Sequence, residues 1–197
     1  VSVSQARRAS APAERELVMA SLAEQLDDAF VLGITGTPGS GKSSLIGRLA
    51  VDMLRADPDV SIAVLAVDPS SHLSGGALLG DRTRLGAAEL DDDRFYFRSE
   101  ASDTELGGLS PSSFQVCRLL TRLYDLVIVE TVGIGQSEGD VRHLADSVFL
   151  VMSPLGGDDV QFFKAGIIEI PEVFVLNKSD EPSSDKTFHQ LKSSLWL

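Results

Sequence analysis

Apolar residues along the chain fall into short continuous runs that alternate with stretches of helical spacing. The continuous runs are typical of strands buried on both faces, and they cover 30–34, 60–67, 95–97, 126–129, 147–152 and 173–176. The stretches with helical spacing cover 43–54, 82–90, 113–124 and 159–169. Strands that alternate with helices predict an α/β fold, with a mostly parallel sheet flanked by helices on both faces.

Segments that contain glycine follow most of the predicted strands. They cover 68–81, 99–112, 131–140 and 153–158. In a parallel sheet these loops meet at the carboxyl edge, which is where open α/β folds bind their ligands. Candidate chemistry is therefore expected in these loops.

The composition is ordinary for a globular domain. The chain has 197 residues, of which 43% are hydrophobic and 23% are charged. We expect a disordered tail over 1–12 and a single domain over 13–197, which begins with a short amphipathic helix over 13–28. The one cysteine, Cys117, excludes an internal disulfide, is compatible with a reducing compartment and is expected to serve packing.

Charge and hydropathy argue against two classes of partner. The net charge of −12 disfavours a surface that binds nucleic acid or an anionic membrane. No apolar run reaches the ~18 residues of a membrane-spanning helix. Arg7 and Arg8 precede no apolar stretch of the kind found in secretory signals.

The most specific motif lies between the first predicted strand and the first predicted helix. Residues 36–43 form a complete G-x-x-x-x-G-K-[ST] phosphate-binding loop. Its glycines allow a tight turn whose N–H groups wrap a phosphate, and the helix N-terminus adds its positive dipole end. We expect Lys42 to reach the β- and γ-phosphates and the Ser43 hydroxyl to bind Mg²⁺. The predicted nucleotide-binding residues of this segment are Gly36, Thr37, Pro38, Gly39, Ser40, Gly41, Lys42, Ser43 and Ser44.

A second motif follows the last predicted strand and indicates which base is bound. Asn177, Lys178 and Asp180 form the Asn-Lys-x-Asp pattern that reads guanine. A carboxylate such as that of Asp180 can accept hydrogen bonds from the guanine N1–H and 2-amino groups, which adenine cannot offer. Rejection of adenine then follows from leaving a buried carboxylate unpaired. The two motifs together predict GTP and GDP as ligands.

Three acidic residues stand on loops at the predicted carboxyl edge and could serve Mg²⁺ directly or through water. They are Asp68, Asp81 and Glu130, and each taken singly is explained equally well as a helix cap or a solvated turn. Glu130 opens a Glu-x-x-Gly turn whose last residue, Gly133, could meet the γ-phosphate with its amide. Gln136 could orient the attacking water, or it could be only a polar loop residue.

These motifs together resemble the MeaB/ArgK family of P-loop GTPases, which are SIMIBI-type relatives of the metal-insertion GTPases. The resemblance implies a GTPase that chaperones the adenosylcobalamin-dependent methylmalonyl-CoA mutase or a related acyl-CoA mutase. Such a protein gates delivery of the cofactor and protects the mutase from inactivation. The stretches that carry the resemblance are 33–44, 64–71, 74–84, 129–138 and 177–180.

The resemblance also implies roles for individual residues. It assigns Asp68 and Glu130 to the magnesium site, and Lys42, Glu130 and Gln136 are the expected catalytic group. Residues 157–164 look similar to an additional switch loop that responds to the mutase. The candidates for partner signalling in that loop are Asp158, Gln161 and Lys164.

The chain departs from the family pattern at its ends. Family members usually have a longer helical N-terminus and a C-terminal helical dimerisation arm, and we expect that arm to be absent here. Residues 193–195 are a poor candidate for the small-residue loop that flanks guanine. The chain is therefore either a GTPase core from a larger protein or a reduced relative. A homodimer stays possible, and the location would be the mitochondrial matrix in a eukaryote and the cytoplasm otherwise.

Three alternatives stay open. A nickel-insertion GTPase for urease or hydrogenase, or a related zinc chaperone, would carry Cys-rich or His-rich elements, whereas His72, His143 and His189 are dispersed. An ATP-dependent kinase linked to amino-acid transport is disfavoured by Asn177 and Asp180. A GTP-binding module that does not hydrolyse GTP would act only as a switch.

Overall fold

Six parallel strands form the sheet at the centre of the fold. The computed structural model describes residues 29–68, 90–101, 109–131, 140–154 and 171–195. The strands pair in the order β3-β2-β4-β1-β5-β6, and every pair is parallel, as the sequence predicts. The strands are β1 (Phe30–Gly36), β2 (Ile62–Asp68), β3 (Phe95–Ala101), β4 (Leu126–Thr131), β5 (Ser147–Met152) and β6 (Val173–Leu176). The helices of the described ranges are α1 (Lys42–Ala56), α2 (Pro111–Leu120) and α3 (Ser184–Leu195).

Two hydrophobic layers cover the two faces of this sheet. Side chains alternate along a strand, so that Val127 and Val129 of β4 pack in the layer that contains α2. Leu126 and Ile128 pack in the layer that contains α1. All six residues of β4 are buried, which explains why the strand reads as a continuous apolar run. The prediction of helices on both faces is confirmed.

The helix α1 is held against the sheet by its apolar face and by a contact at its end. Its buried residues include Ile46, Ala50 and Leu54, which recur at helical spacing. At the C-terminus, the Arg94 guanidinium donates to the carbonyl oxygens of Leu54 at 3.1 Å and Asp57 at 3.0 Å. The N-terminus of α1 lies at the carboxyl edge of the sheet because only five residues separate the end of β1 from Lys42.

The helix α2 begins earlier and ends earlier than the predicted range 113–124. Ser110 caps it by accepting a 3.1 Å hydrogen bond from the Ser113 N–H, and Pro111 starts the first turn. The helix ends at Leu120 because the chain must then turn back to enter β4. Cys117 is buried in its apolar face, and burial raises the pKa of this thiol to about 11, with a further contribution from Asp146. The predicted packing role of Cys117 is confirmed.

The spacing of apolar residues does not predict α3. Among its residues only Thr187 and Leu191 are buried, so the apolar stripe is too sparse to read as a helix. Packing of Leu191 with Leu150 and Met152 holds it in place. Residues 193–195 form the last turn of α3. This agrees with the prediction that they are a poor candidate for the loop that flanks guanine.

Several predicted elements lie outside the described residues. They are the tail over 1–12, the helices over 13–28 and 159–169, and the helix over 82–90 apart from Leu90. Within the described ranges, no helix combines the length and apolar character that crossing a bilayer requires.

Carboxylates accept hydrogen bonds from main-chain N–H groups at the edge of the sheet where the strands begin. Asp146 accepts a 2.7 Å hydrogen bond from the Val31 N–H, and Glu172 accepts one of 2.6 Å from the Val148 N–H. Asp125 accepts hydrogen bonds from both the N–H and the hydroxyl of Ser61, at 2.8 and 2.6 Å. The hydroxyl bond and the main-chain bond from Ser61 together hold the pKa of Asp125 below its ordinary value.

Asp125→Ala should therefore lower stability in a pH-dependent way. The pKa is depressed in the folded state, so the contribution is present above pH ~4 and is lost as the pH falls through the folded pKa. Because Asp125 is exposed to solvent, we expect a small loss, below ~1 kcal/mol near neutral pH, that shrinks on acidification. Urea unfolding at several pH values measures this. Ser61→Ala keeps the main-chain bond and should show a smaller effect, and a loss that does not depend on pH would contradict the assignment.

Candidate functional site

The phosphate-binding loop predicted from the sequence connects the end of β1 with the start of α1. Three of its glycines adopt positive φ: Gly36 (+143°), Gly39 (+77°) and Gly41 (+89°). A Cβ on Gly36 would lie 1.9 Å from the Val151 carbonyl oxygen of β5. The loop therefore packs its main chain against the neighbouring strand more closely than a side chain would allow.

Lys42 folds back over this loop. Its ammonium group donates to the carbonyl oxygens of Gly36 at 2.9 Å and Thr37 at 3.0 Å, and the residue is buried. In α1, which the structure describes completely, the first turn carries no acidic residue and Gly41 provides no side-chain cap. Positive charge and the positive end of the helix dipole thus coincide at one point, which favours an anion.

Two hydroxyl groups of the loop add to this picture. Among the described residues, Thr37 Oγ1 and Ser40 Oγ are buried without a hydrogen-bond partner. Leaving a buried polar group unpaired costs about 1–3 kcal/mol, so such atoms commonly mark a place that a ligand, an ion or water completes. The loop therefore fits an oxygen-rich anion such as phosphate.

Ser43 and Glu130 meet although they lie far apart in sequence. The Ser43 hydroxyl donates a 2.7 Å hydrogen bond to Glu130 Oε1, and Glu130 is 3% exposed. Glu130 reaches this point because β4 pairs with β1 in a register that places it beside Ile34. A hydroxyl and a carboxylate at the phosphate loop are oxygen ligands of the kind that Mg²⁺ takes. No group of three His, Cys, Asp or Glu side chains that could hold a metal ion occurs among the described residues.

Asp68 is the last residue of β2, the strand next to β4. The backbone thus brings it to the same edge as Glu130, two positions beyond Ala66, the residue that pairs with Glu130. The predicted site residues Asp81, Gly133, Gln136, Asp158, Gln161 and Lys164 lie outside the described residues.

The predicted guanine motif contacts the phosphate loop directly. The Asn177 side-chain amide donates to the Ser40 carbonyl oxygen at 2.7 Å. The Lys178 ammonium donates to the Gly39 carbonyl oxygen at 2.8 Å, and Lys178 itself has a φ of +56°. The exposed Asp180 follows on the same segment. Nothing in the spacing of the two motifs indicates these contacts, which join residues 137 and 139 positions apart.

A profile of one protein family covers the whole chain. The family described as "Methylmalonyl Co-A mutase-associated GTPase MeaB" matches residues 1–197. The chain belongs to the MeaB family. The resemblance to MeaB and ArgK inferred from the motifs is therefore confirmed.

Individual MeaB-family relatives agree with this membership. A putative GTPase of Pyrococcus abyssi is 42% identical over 171 residues, which are 86% of this chain and 52% of that protein. The GTPase ArgK of Escherichia coli is 40% identical over 81% of this chain and 50% of its own length. A fused isobutyryl-CoA mutase of Geobacillus kaustophilus is 38% identical over 82% of this chain and 15% of that protein. The chain thus spans about half the length of the first two relatives.

Solved structures show the same fold. A structure described as a LAO/AO transport system kinase has a TM-score of 0.67 at 26% identity and covers 98% of this chain and 57% of its own. The hydrogenase maturation factor HypB of Archaeoglobus fulgidus has a TM-score of 0.59 at 21% identity, over 92% of this chain and 83% of its own, and shows the fold alone. The prediction of a P-loop fold is confirmed.

Gly41→Ala should disturb the contact between the two motifs. The new Cβ would lie 2.5 Å from Asn177 Nδ2, so the hydrogen bond from Asn177 to Ser40 cannot persist unchanged. We expect GTP affinity, measured by calorimetry, to fall about tenfold or more.

Gly39→Ala is the matched control for this prediction. It also has a positive φ, but its Cβ would meet nothing within 4 Å. Both variants share the backbone strain of about 1–2 kcal/mol, so the difference between them isolates the contact with Asn177. Equal losses in the two variants would refute the importance of that contact.

Proposed function

We propose that this chain binds GTP with Mg²⁺ and hydrolyses it to GDP and phosphate. The observation that carries the proposal is the hydrogen bond from the Asn177 amide to the Ser40 carbonyl. This bond brings the Asn-Lys-x-Asp segment into contact with the phosphate loop, which supports a single ligand that spans both.

The phosphate loop would bind the β- and γ-phosphates. The Lys42 ammonium bonds two loop carbonyl oxygens, and it would exchange these contacts for phosphate oxygens. Main-chain amides of Gly39, Ser40 and Gly41 and the N-terminus of α1 would supply further positive potential. Thr37, Pro38 and Ser44 would complete this part of the site.

Ser43 and Glu130 would hold the magnesium ion, directly or through water, because they meet at the loop. Asp68 and Asp81 are proposed as further acidic groups of this site. The ion would neutralise charge that develops on the phosphate oxygens. We assign to Gln136 the orientation of the attacking water, and to the Gly133 amide a contact with the γ-phosphate.

Guanine selectivity would come from Asp180. Its carboxylate would accept the two hydrogen bonds that distinguish guanine from adenine. Asn177 and Lys178 would keep this segment in place, because both bond carbonyl oxygens of the phosphate loop.

The proposed partner of the GTPase is an adenosylcobalamin-dependent acyl-CoA mutase, such as methylmalonyl-CoA mutase or a relative. The family description names such a mutase, and one relative is a mutase that contains a region similar to this chain. The chain would gate cofactor delivery and protect the mutase, with slow hydrolysis in its absence. Residues Asp158, Gln161 and Lys164 are proposed to signal to this partner. We further propose a cytoplasmic location, or the mitochondrial matrix in a eukaryote, and a possible homodimer.

Asp180→Asn should change which base is bound. The amide can no longer accept both guanine hydrogen bonds, so GTP affinity should fall about a hundredfold while xanthosine triphosphate binding rises. Lys42→Ala should abolish binding of both nucleotides, which separates base reading from phosphate binding. Calorimetric titration measures each affinity. Retained GTP selectivity in Asp180→Asn would refute the base assignment, and ATP binding by the unchanged chain would favour a kinase.

A mutase partner should stimulate hydrolysis. We expect an adenosylcobalamin-dependent mutase to be captured by the chain loaded with a GTP analogue, and to raise the rate of phosphate release at least about tenfold. Gln161→Ala and Lys164→Ala should reduce this stimulation and leave the basal rate unchanged. Lys192→Ala, an exposed lysine of α3, is the control. Stimulation that persists in the first two variants would exclude them from partner signalling.

A further inference from the structure

Two buried threonine hydroxyls join the ends of β1 and β4 beside the phosphate loop. Thr131 Oγ1 donates to Thr35 Oγ1 at 3.0 Å, and the two residues are 0% and 1% exposed. Thr35 directly precedes Gly36, and Thr131 directly follows Glu130. The pair therefore links the first residue of the loop to the carboxylate that meets Ser43.

The pair stands where main-chain pairing between the two strands ends. The last register pair of β1 with β4 is Ile34 with Glu130. Beyond it, β1 stays paired with β5 through Gly36, and β4 stays paired with β2 through Thr131. The hydroxyl bond thus continues the contact between β1 and β4 by one residue. A hydrogen bond between two buried hydroxyls avoids leaving them unpaired and so stabilises the neighbouring strand ends.

Alternation of side chains along β4 connects this bond to the site. Thr131 and Glu130 are consecutive, so their side chains point to opposite faces of the sheet. A bond that holds Thr131 on one face limits rotation of the strand end, and therefore the direction in which Glu130 points on the other face. Glu130 must point toward α1 to accept its hydrogen bond from Ser43.

We propose that Thr35 and Thr131 are a positioning pair for Glu130, on which the magnesium dependence of nucleotide binding relies. This inference rests on the proposed function. Neither threonine touches the nucleotide in this scheme. A purely structural pair would instead only satisfy two buried hydroxyls, and its loss would affect stability without a specific effect on Mg²⁺.

The test compares affinity for a fluorescent, non-hydrolysable GTP analogue across a Mg²⁺ titration and in EDTA. Thr131→Val keeps the side-chain volume but removes the hydroxyl. We expect it to raise the Mg²⁺ concentration for half-maximal binding about fivefold, with affinity in EDTA within about twofold of the unchanged chain. Thr35→Val removes the same hydrogen bond by deleting its acceptor and should give the same shift. This second variant keeps the test available if Thr131→Val does not fold. Thr131→Ser keeps the hydroxyl and should restore the original Mg²⁺ dependence.

Three results would overturn the inference. One is an unchanged Mg²⁺ dependence in both valine variants. Another is an equal loss of affinity with Mg²⁺ and in EDTA, and the third is a serine variant that behaves like valine. Failure of the unchanged chain to bind the analogue at all would refute the proposed function itself, and this inference with it. The two failures are therefore distinguishable.

Discussion

Parallel pairing of β1 with β4 on one side and β5 on the other is the constraint on which the site depends. It places the end of β1, which carries the phosphate loop, between Glu130 of β4 and the Val151 carbonyl of β5. Because all strands run in the same direction, every loop after a strand arrives at this edge. Successive side chains of β1 and β4 pack alternately in the two hydrophobic layers, so a slip of one residue in this register would turn Glu130 to the other face.

The electrostatics of the site run against those of the chain as a whole. The chain carries a net charge of −12, and acidic side chains hold the opposite edge of the sheet through main-chain N–H groups. At the carboxyl edge, Lys42 and Lys178 both bond carbonyl oxygens of the phosphate loop. Lys42 and Lys178 thus bring positive charge to the phosphate loop of a chain whose net charge is negative. This arrangement suits an anionic ligand of small size better than an extended polyanion.

Much of the architecture could be predicted because its signals are local. The strand over 173–176 has its predicted bounds, and β1, β2, β4 and β5 contain or closely match their apolar runs. The helix α3 could not be predicted, because its stability comes from Leu191 meeting side chains of β5 rather than from a continuous apolar stripe. The early end of α2 likewise follows from the turn that leads into β4.

The sequence by itself determined the family and the residue types of the two motifs. The phosphate loop and the Asn-Lys-x-Asp motif have fixed residue types at fixed spacing, since their main-chain geometry and hydrogen bonds require them. Only the tertiary structure decided which of these residues touch. The contacts of Ser43 with Glu130, Asn177 with Ser40 and Thr131 with Thr35 join residues that are 87, 137 and 96 positions apart. Such contacts depend on strand order and register, which arise from packing of the whole sheet and not from any local pattern.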